Sequence, residues 1–161
     1  MKTLIIVRHA KSSWEYDVSD INRPLKSVGI TDAALVSNKF KMSGNNPEVI
    51  FSSPAKRAFE TCKIFIDNIR FSYKKVHISD QLYDFGGNKV VNFIKSWENN
   101  YKSVMIFGHN HALTAIVNTY GDTDIDNLPT SGLVLIKFEI DSWKDIESGK
   151  TELILFPRHL K

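Results

Sequence analysis

Two histidines in this chain stand directly after short apolar runs. Leu4-Ile5-Ile6-Val7 leads into Arg8-His9, and Val104-Met105-Ile106-Phe107 leads into Gly108-His109. A further short strand, expected over Val49 to Ser52, leads into Ser53-Pro54 and then Arg57. A strand that only fills a core has no use for a guanidinium and an imidazole at its end. A neutral imidazole attacks phosphorus when one ring nitrogen is unprotonated and the other is held as N–H by an acceptor. A histidine just past a rigid strand finds that acceptor in nearby backbone. Arginine forks match the oxygens of a phosphoryl group, and a second histidine adds to the stabilisation of the charge that transfer loads on them. Two histidines, two arginines and a helix N-terminus therefore predict a cationic, donor-rich pocket for a phosphoryl group.

Those residues meet only if the three runs are neighbouring strands pointing the same way. The pattern between them supports this. Residues 27 to 43 read as a helix, with Ala33, Val36 and Phe40 at helical spacing and Gly44 as a stop. Ser53 as N-cap and Pro54 at the first helical position open a second helix, whose buried face is Ala58, Cys62, Phe65, Ile66 and Ile69. Val76 to Ile78 reads as a short edge strand, 80 to 88 as a loop with Gly86-Gly87, and Val90 to Trp97 as a helix. A further helix is expected from about Asn110 to Tyr120, and strands at Leu133 to Ile140 and Glu152 to Phe156 as an antiparallel pair or an edge. Strands alternating with helices predict an α/β fold in three layers, a mainly parallel central sheet with helices on both faces. Ligands of such sheets bind beyond the carboxyl ends of the strands.

Bulk composition narrows the function classes. The chain has 161 residues, 42% hydrophobic and 24% charged, which predicts one globular domain over 1–161. No apolar run approaches the roughly 20 residues of a membrane helix, and the N-terminus reads as free of a signal peptide. The net charge is +3, without a Lys/Arg block, so neither nucleic acid nor membrane is expected as a partner. A lone cysteine, Cys62, agrees with a reducing cytoplasm. A monomer or weak dimer is the expected state. Only five arginines stand against sixteen lysines, and Arg8, Arg23 and Arg57 lie near Gly, Ser or Pro at element ends. Lysine supplies solubility here, while arginine is placed where a planar fork is useful.

Arg8-His9-Ala10, with Ser12 and Trp14, resembles the RHG-type signature of the histidine phosphatase superfamily, also called phosphoglycerate mutase-like. The longer stretch RHAKSSWEYDVSDINRPLKSVG is similar to its SixA-type branch of phosphohistidine phosphatases, notably in Arg23-Pro24-Leu25 followed by Gly29. SSPAKRAFET, Ser52 to Thr61, resembles the branch's second motif, and GHNHAL, Gly108 to Leu113, the segment with the second catalytic histidine. The three motifs span Leu4 to about Leu113 in order.

The resemblance implies a phosphoglycerate mutase-like αβα fold and a phosphatase working through a phosphohistidine intermediate on His9. It implies that Arg8, Arg57 and His109 form the phosphate pocket. It implies no cofactor and no metal, although His109-x-His111 has a spacing that chelates zinc on a strand. The substrate implied is a phosphorylated protein carrying phosphohistidine. A small phosphate ester is the alternative, and a non-catalytic phosphate- or phosphopeptide-binding module is a third reading. The family's general acid lies in an L-x-E pattern, whose nearest match is Leu82-Tyr83-Asp84, making Asp84 the candidate acid. The chain lacks the insertions that build a lid in larger members, so an open pocket is expected. Ser12, Arg23 and Asn110 are candidate substrate-binding residues. Ser12 equally suits a turn, Arg23 an ion pair with Asp17 or Asp20, and Asp84 a plain loop carboxylate. Lys11 and Lys56 are candidates for steering an anion. His111 is expected to border the pocket, His77 and His159 to lie at the surface, and Cys62, Trp97 and Trp143 to serve packing.

Overall fold

A computed structural model describes residues 1–161. Ten regular elements follow in chain order: β1 (Lys2–Arg8), α1 (Ser27–Met42), β2 (Val49–Ser52), α2 (Lys56–Ile69), β3 (Val76–Ile78), α3 (Asn88–Lys95), β4 (Ser103–Gly108), α4 (Ala112–Tyr120), β5 (Leu133–Phe138) and β6 (Lys150–Leu155). The strands form one sheet in the order β3-β2-β4-β1-β5-β6. β1, β2, β3 and β4 are mutually parallel, and β5 runs antiparallel to both β1 and β6.

The apolar runs are continuous because both faces of the sheet are covered. On one face Leu4, Ile6, Val104 and Ile106 pack with Val90 and Ile94 of α3 and Leu113, Ile116 and Val117 of α4. On the other, Ile5, Val7, Met105 and Phe107 pack with Ala33, Val36 and Phe40 of α1 and Cys62, Phe65 and Ile66 of α2. The alternation along β1 is the pleat of a strand, and Leu4 through Val7 are fully buried. Each such side chain stabilises the fold by about 1.5–3 kcal/mol. Trp97, Trp143 and Cys62 are buried as expected, and burial pushes the Cys62 thiol well above its ordinary range. His77 and His159 are exposed. No helix is long and apolar enough to cross a membrane.

Register places the site. Arg8 lies opposite Gly108, and Ser52 opposite Phe107. The residues that come next, His9, His109 and Ser53, therefore leave the sheet side by side at one edge. Two longer-range pairings shape the segment after β1. Lys26 donates its backbone N–H to Lys11 at 2.9 Å, and Ser13 donates to Pro24 at 2.8 Å. Residues 11–13 and 24–26 thus run together as a narrow ribbon. Gly29, on α1, lets the ribbon lie flat, since a Cβ there would stand 2.3 Å from the Lys11 carbonyl oxygen. Arg23-Pro24-Leu25 and Gly29 accompany RHAKSS because one segment is built against the other.

Several boundaries differ from the sequence expectation, and each has a local cause. α2 begins at Lys56, with Ala55 as its N-cap, rather than at Ser53-Pro54. The Ser53 hydroxyl accepts the Ala55 N–H at 3.2 Å and is otherwise committed to His109. α4 begins at Ala112, and Asn110 stands before it, its side-chain oxygen accepting from the Thr114 N–H and hydroxyl at 3.2 and 2.7 Å. α3 spans Asn88–Lys95 rather than Val90 to Trp97, because a carboxylate caps its start. β5 stops at Phe138, and β6 starts at Lys150, two residues earlier than expected.

Candidate active site

His9 is the first residue past β1. Its N–H donates to the Gly108 carbonyl at 3.1 Å, and the Ser131 N–H donates to the His9 carbonyl at 3.1 Å. The imidazole is only 8% exposed, and its Nδ1 lies 2.7 Å from the Ala10 carbonyl oxygen. A carbonyl only accepts, so Nδ1 carries the hydrogen and Nε2 keeps its lone pair. Burial is the main reason its pKa falls to about 3, and the Arg57, Arg8 and Arg23 charges lower it further against the opposing Ala10 bond. The ring is neutral at any ordinary pH.

The turn after His9 is pinned from α2. The Ala10 N–H donates to the Thr61 hydroxyl at 2.8 Å, which in turn donates to the Arg57 carbonyl at 2.7 Å. This explains the threonine closing SSPAKRAFET: it ties the carbonyl that sets His9's tautomer to the helix that carries Arg57.

The His109 ring lies 5.3 Å from the His9 ring, centroid to centroid. Its Nε2 is 2.8 Å from the Ser53 hydroxyl, while its Nδ1 is buried without a protein partner. Burial lowers its pKa to about 3, reinforced by His9 and Arg57. Arg57 comes from the first turn of α2 and is 2% exposed. It donates to the Asp20 backbone oxygen at 2.7 Å and to the Asp20 carboxylate at 3.0 Å. Arg8 donates to the Leu128 carbonyl at 2.9 Å, and burial followed by the nearby Arg57 charge lowers its pKa. The Nε atoms of Arg8 and Arg57 are both buried with no partner. Both residues line the cleft beside His9, where their guanidinium charges favour an anion.

These residues line an open cleft of about 420 Å³. Five cationic side chains, Arg8, Lys11, Arg23, Lys26 and Arg57, face one carboxylate, Asp20. Arg23 is buried and donates to the Ser12 hydroxyl at 2.6 Å, the Ser13 carbonyl at 3.2 Å and Asp20 at 3.3 Å. Arg23 thus lines the cleft and pairs with Asp20. Burial raises the Asp20 pKa, but hydrogen bonds from Tyr83 and Arg57 and the charge of Arg57 outweigh it and bring it down to about 2. Ser12 and Asn110 also line the cleft. Lys56 is exposed on α2 and His111 is exposed at the N-cap of α4, both outside the lining.

Asp84 is not brought to the cleft. Its carboxylate accepts the backbone N–H groups of Gly86, Gly87, Lys89 and Val90 at 3.0–3.2 Å. It caps α3, where a negative charge is favourable at the positive end of a helix. This placement does not fit the general-acid role expected for Asp84 from the sequence. Its neighbours face the other way: the Tyr83 and Phe85 rings lie 5.3 and 5.1 Å from the His109 ring, and the Tyr83 hydroxyl donates to Asp20 at 2.7 Å. Asp84→Ala is expected to lower stability by about 1–2 kcal/mol in a denaturant titration, while its kcat falls far less than that of His9→Ala.

Sequence reasoning passed over Ser53 and Thr61 as site residues, although both lie within the motif it quoted. It weighed Asp20 only as a partner of Arg23. Tyr83 and Phe85 lie in a bend-rich loop without a strand or helix period, so no local pattern marked them.

The sequence profile of the histidine phosphatase superfamily (branch 1) matches residues 4–87. The chain belongs to that superfamily. Its fold is similar to that of the protein histidine phosphatase SixA complexed with tungstate, with a TM-score of 0.84, 20% identity and 99% of each chain covered. It is also similar to a phosphoserine phosphatase from Entamoeba histolytica in complex with 3-phosphoglyceric acid, with a TM-score of 0.66, 16% identity and 100% of each chain covered. Among curated sequences, an uncharacterized chloroplastic protein of Arabidopsis thaliana is 28% identical over 153 residues, covering 89% of this chain and 70% of the relative. An uncharacterized protein of Mycobacterium tuberculosis is 26% identical over 161 residues, covering 93% of this chain and 98% of the relative.

Proposed function

We propose that this protein is a phosphohistidine phosphatase of the SixA type, removing the phosphoryl group from a histidine of another protein. The observation that carries the reading is the Nδ1–H of His9 held on the Ala10 carbonyl, which leaves a neutral Nε2 beside Arg8, Arg57 and His109. The Nε2 lone pair forms a bond to phosphorus as the bond to the substrate's ring nitrogen breaks. The electron pair of that bond returns to the substrate ring. When the second nitrogen of that ring is protonated, it departs as neutral imidazole and needs no acid. The Ala10 carbonyl then faces the positive charge acquired by the phosphorylated His9 ring. Arg8, Arg57 and the His109 N–H hold the phosphoryl oxygens through the transition state. Water attacks the same phosphorus, its proton passes to a phosphate oxygen or to solvent, and the electron pair returns to Nε2.

The state of Asp20 favours a nitrogen leaving group. It is the only carboxylate lining the cleft, it is bound to both Arg57 and Arg23, and its pKa of about 2 keeps it ionised. An alkyl phosphate needs a proton for its departing alkoxide, and this carboxylate has none to give. The cleft is open at Trp14 and Asp20, with room for a protein-borne side chain. A comparison of kcat/KM on a phosphohistidine-bearing protein, glycerol phosphate and phenyl phosphate tests the reading. The protein substrate is expected to be the best of the three. Preference for the alkyl ester overturns the reading in favour of a small-molecule phosphomonoesterase.

A further inference from the structure

Trp14 is 75% exposed, whereas Trp97 and Trp143 are 7% and 0% exposed. An indole left in water forfeits the large stabilisation that its burial offers. Trp14 is nonetheless held in place. The Arg23 guanidinium carbon lies 3.2 Å from its ring centroid, a stacked cation–π contact. Arg23 is itself immobilised by Ser12, Ser13 and Asp20. One indole face is covered by Arg23, and the rest of this pre-ordered ring is open at the mouth of the cleft.

Phe85 is a second aromatic ring at the same mouth. It is 47% exposed and is fixed by packing on Tyr83 and His109, with centroid distances of 5.4 and 5.1 Å. Trp14 arrives from the segment after β1, and Phe85 from the loop before α3. The phosphate-binding donors use neither ring. His9 is 8% exposed in this cleft while both rings are far more exposed, so they line the solvent side on which a leaving group in line with His9 departs.

We infer that Trp14 and Phe85 form an aromatic clamp on the leaving group, so that the cleft selects phosphoryl groups carried on a planar ring. The inference rests on the phosphatase reading above and names the chemistry of the group that departs. Imidazole and phenol both supply such a ring. Pre-ordered aromatics hold a ring at little cost in side-chain entropy, and stacked contacts of this kind change binding by about tenfold when truncated.

The test uses the whole chain and three small donors: phosphoimidazole, phenyl phosphate and phosphoramidate, the last having a nitrogen–phosphorus bond without a ring. The readout is kcat/KM on each ring donor divided by kcat/KM on phosphoramidate. In Trp14→Ala and in Phe85→Ala this ratio is expected to fall about tenfold, mainly through KM, and Trp14→Phe is expected to restore most of it. A fall confined to phosphoimidazole assigns the clamp to imidazole, and a fall for both ring donors assigns it to planar rings in general. A ratio that stays within twofold of the parent in both alanine variants overturns the clamp. Acid-labile, base-stable label trapped from phosphoramidate separates the two levels. Label on the parent protein with an unchanged ratio overturns the clamp and leaves the phosphatase reading standing. Absence of label from all three donors overturns both.

Discussion

Replacing His9 by alanine is expected to abolish turnover, lowering kcat by about 10⁴-fold or more, and to remove the acid-labile, base-stable phosphoryl label that the parent protein traps from a labelled donor. The expectation is strong because the position is specified from several directions. β1 supplies a rigid base, the Gly108 and Ser131 backbones hold His9's own peptide groups, and Ala10 sets the tautomer. The other histidine at the cleft, His109, has no free lone pair: the Ser53 hydroxyl, which accepts the Ala55 N–H, donates to its Nε2, and Nδ1 carries the hydrogen of the neutral ring. Label retained by His9→Ala would refute the assignment. The same residue has a signature in stability. Burial holds His9 and His109 near pKa 3 in the folded chain, against about 6.5 when exposed. Below pH 6.5 the unfolded chain therefore takes up protons that the folded chain refuses. The contribution of these neutral rings is present above pH 6.5 and is lost as the pH falls toward 3. Denaturation midpoints measured between pH 7 and pH 4 are expected to decline in the parent, and less steeply in His9→Asn.

Arg57→Ala is expected to lower kcat/KM by about 10²–10³-fold and to weaken inhibition by vanadate, which mimics the five-coordinate phosphorus of transfer. Arg57 is almost fully buried and stands where phosphoryl charge must be met. It also anchors Asp20 through both the backbone and the carboxylate, so its loss frees the segment that carries Arg23. Arg57→Lys is expected to recover only a minor part of the loss. An ammonium is a point charge and cannot contact Asp20 and a phosphoryl oxygen in the geometry of the fork. Steady-state kinetics on one donor with and without vanadate checks this. A loss of less than tenfold in Arg57→Ala would show that Arg8 and His109 suffice for the phosphoryl group.

The parts of the site carried by strand ends were legible in the sequence. Leu4 to Val7, Val49 to Phe51 and Val104 to Phe107 are continuous apolar runs because the sheet is covered on both faces, and a run of that kind announces its own end. Arg8, His9 and His109 are read directly from those ends, and Arg57 from the helix that follows one of them. The Asp84 assignment went astray because it relied on a residue type at a motif position in a loop. A loop side chain's direction is decided by what lies around it. The bare N–H groups at the start of α3 captured the carboxylate and turned Tyr83 and Phe85 toward His109.

Local pattern by itself thus determined the α/β class, the order of the elements and the four polar residues expected at one sheet edge. It could do so because strand burial and helix periodicity are written in neighbouring residues. Tertiary structure decided what surrounds those four. Thr61 reaching the turn after His9, Ser53 leaving the helix cap for His109, Asp20 bridging Arg23, Arg57 and Tyr83, and Trp14 stacked on Arg23 all depend on packing. The 11–13 and 24–26 ribbon closing over Gly29 belongs with them. Most of these contacts join residues many positions apart, so their direction and pairing are set by packing and not by any local period.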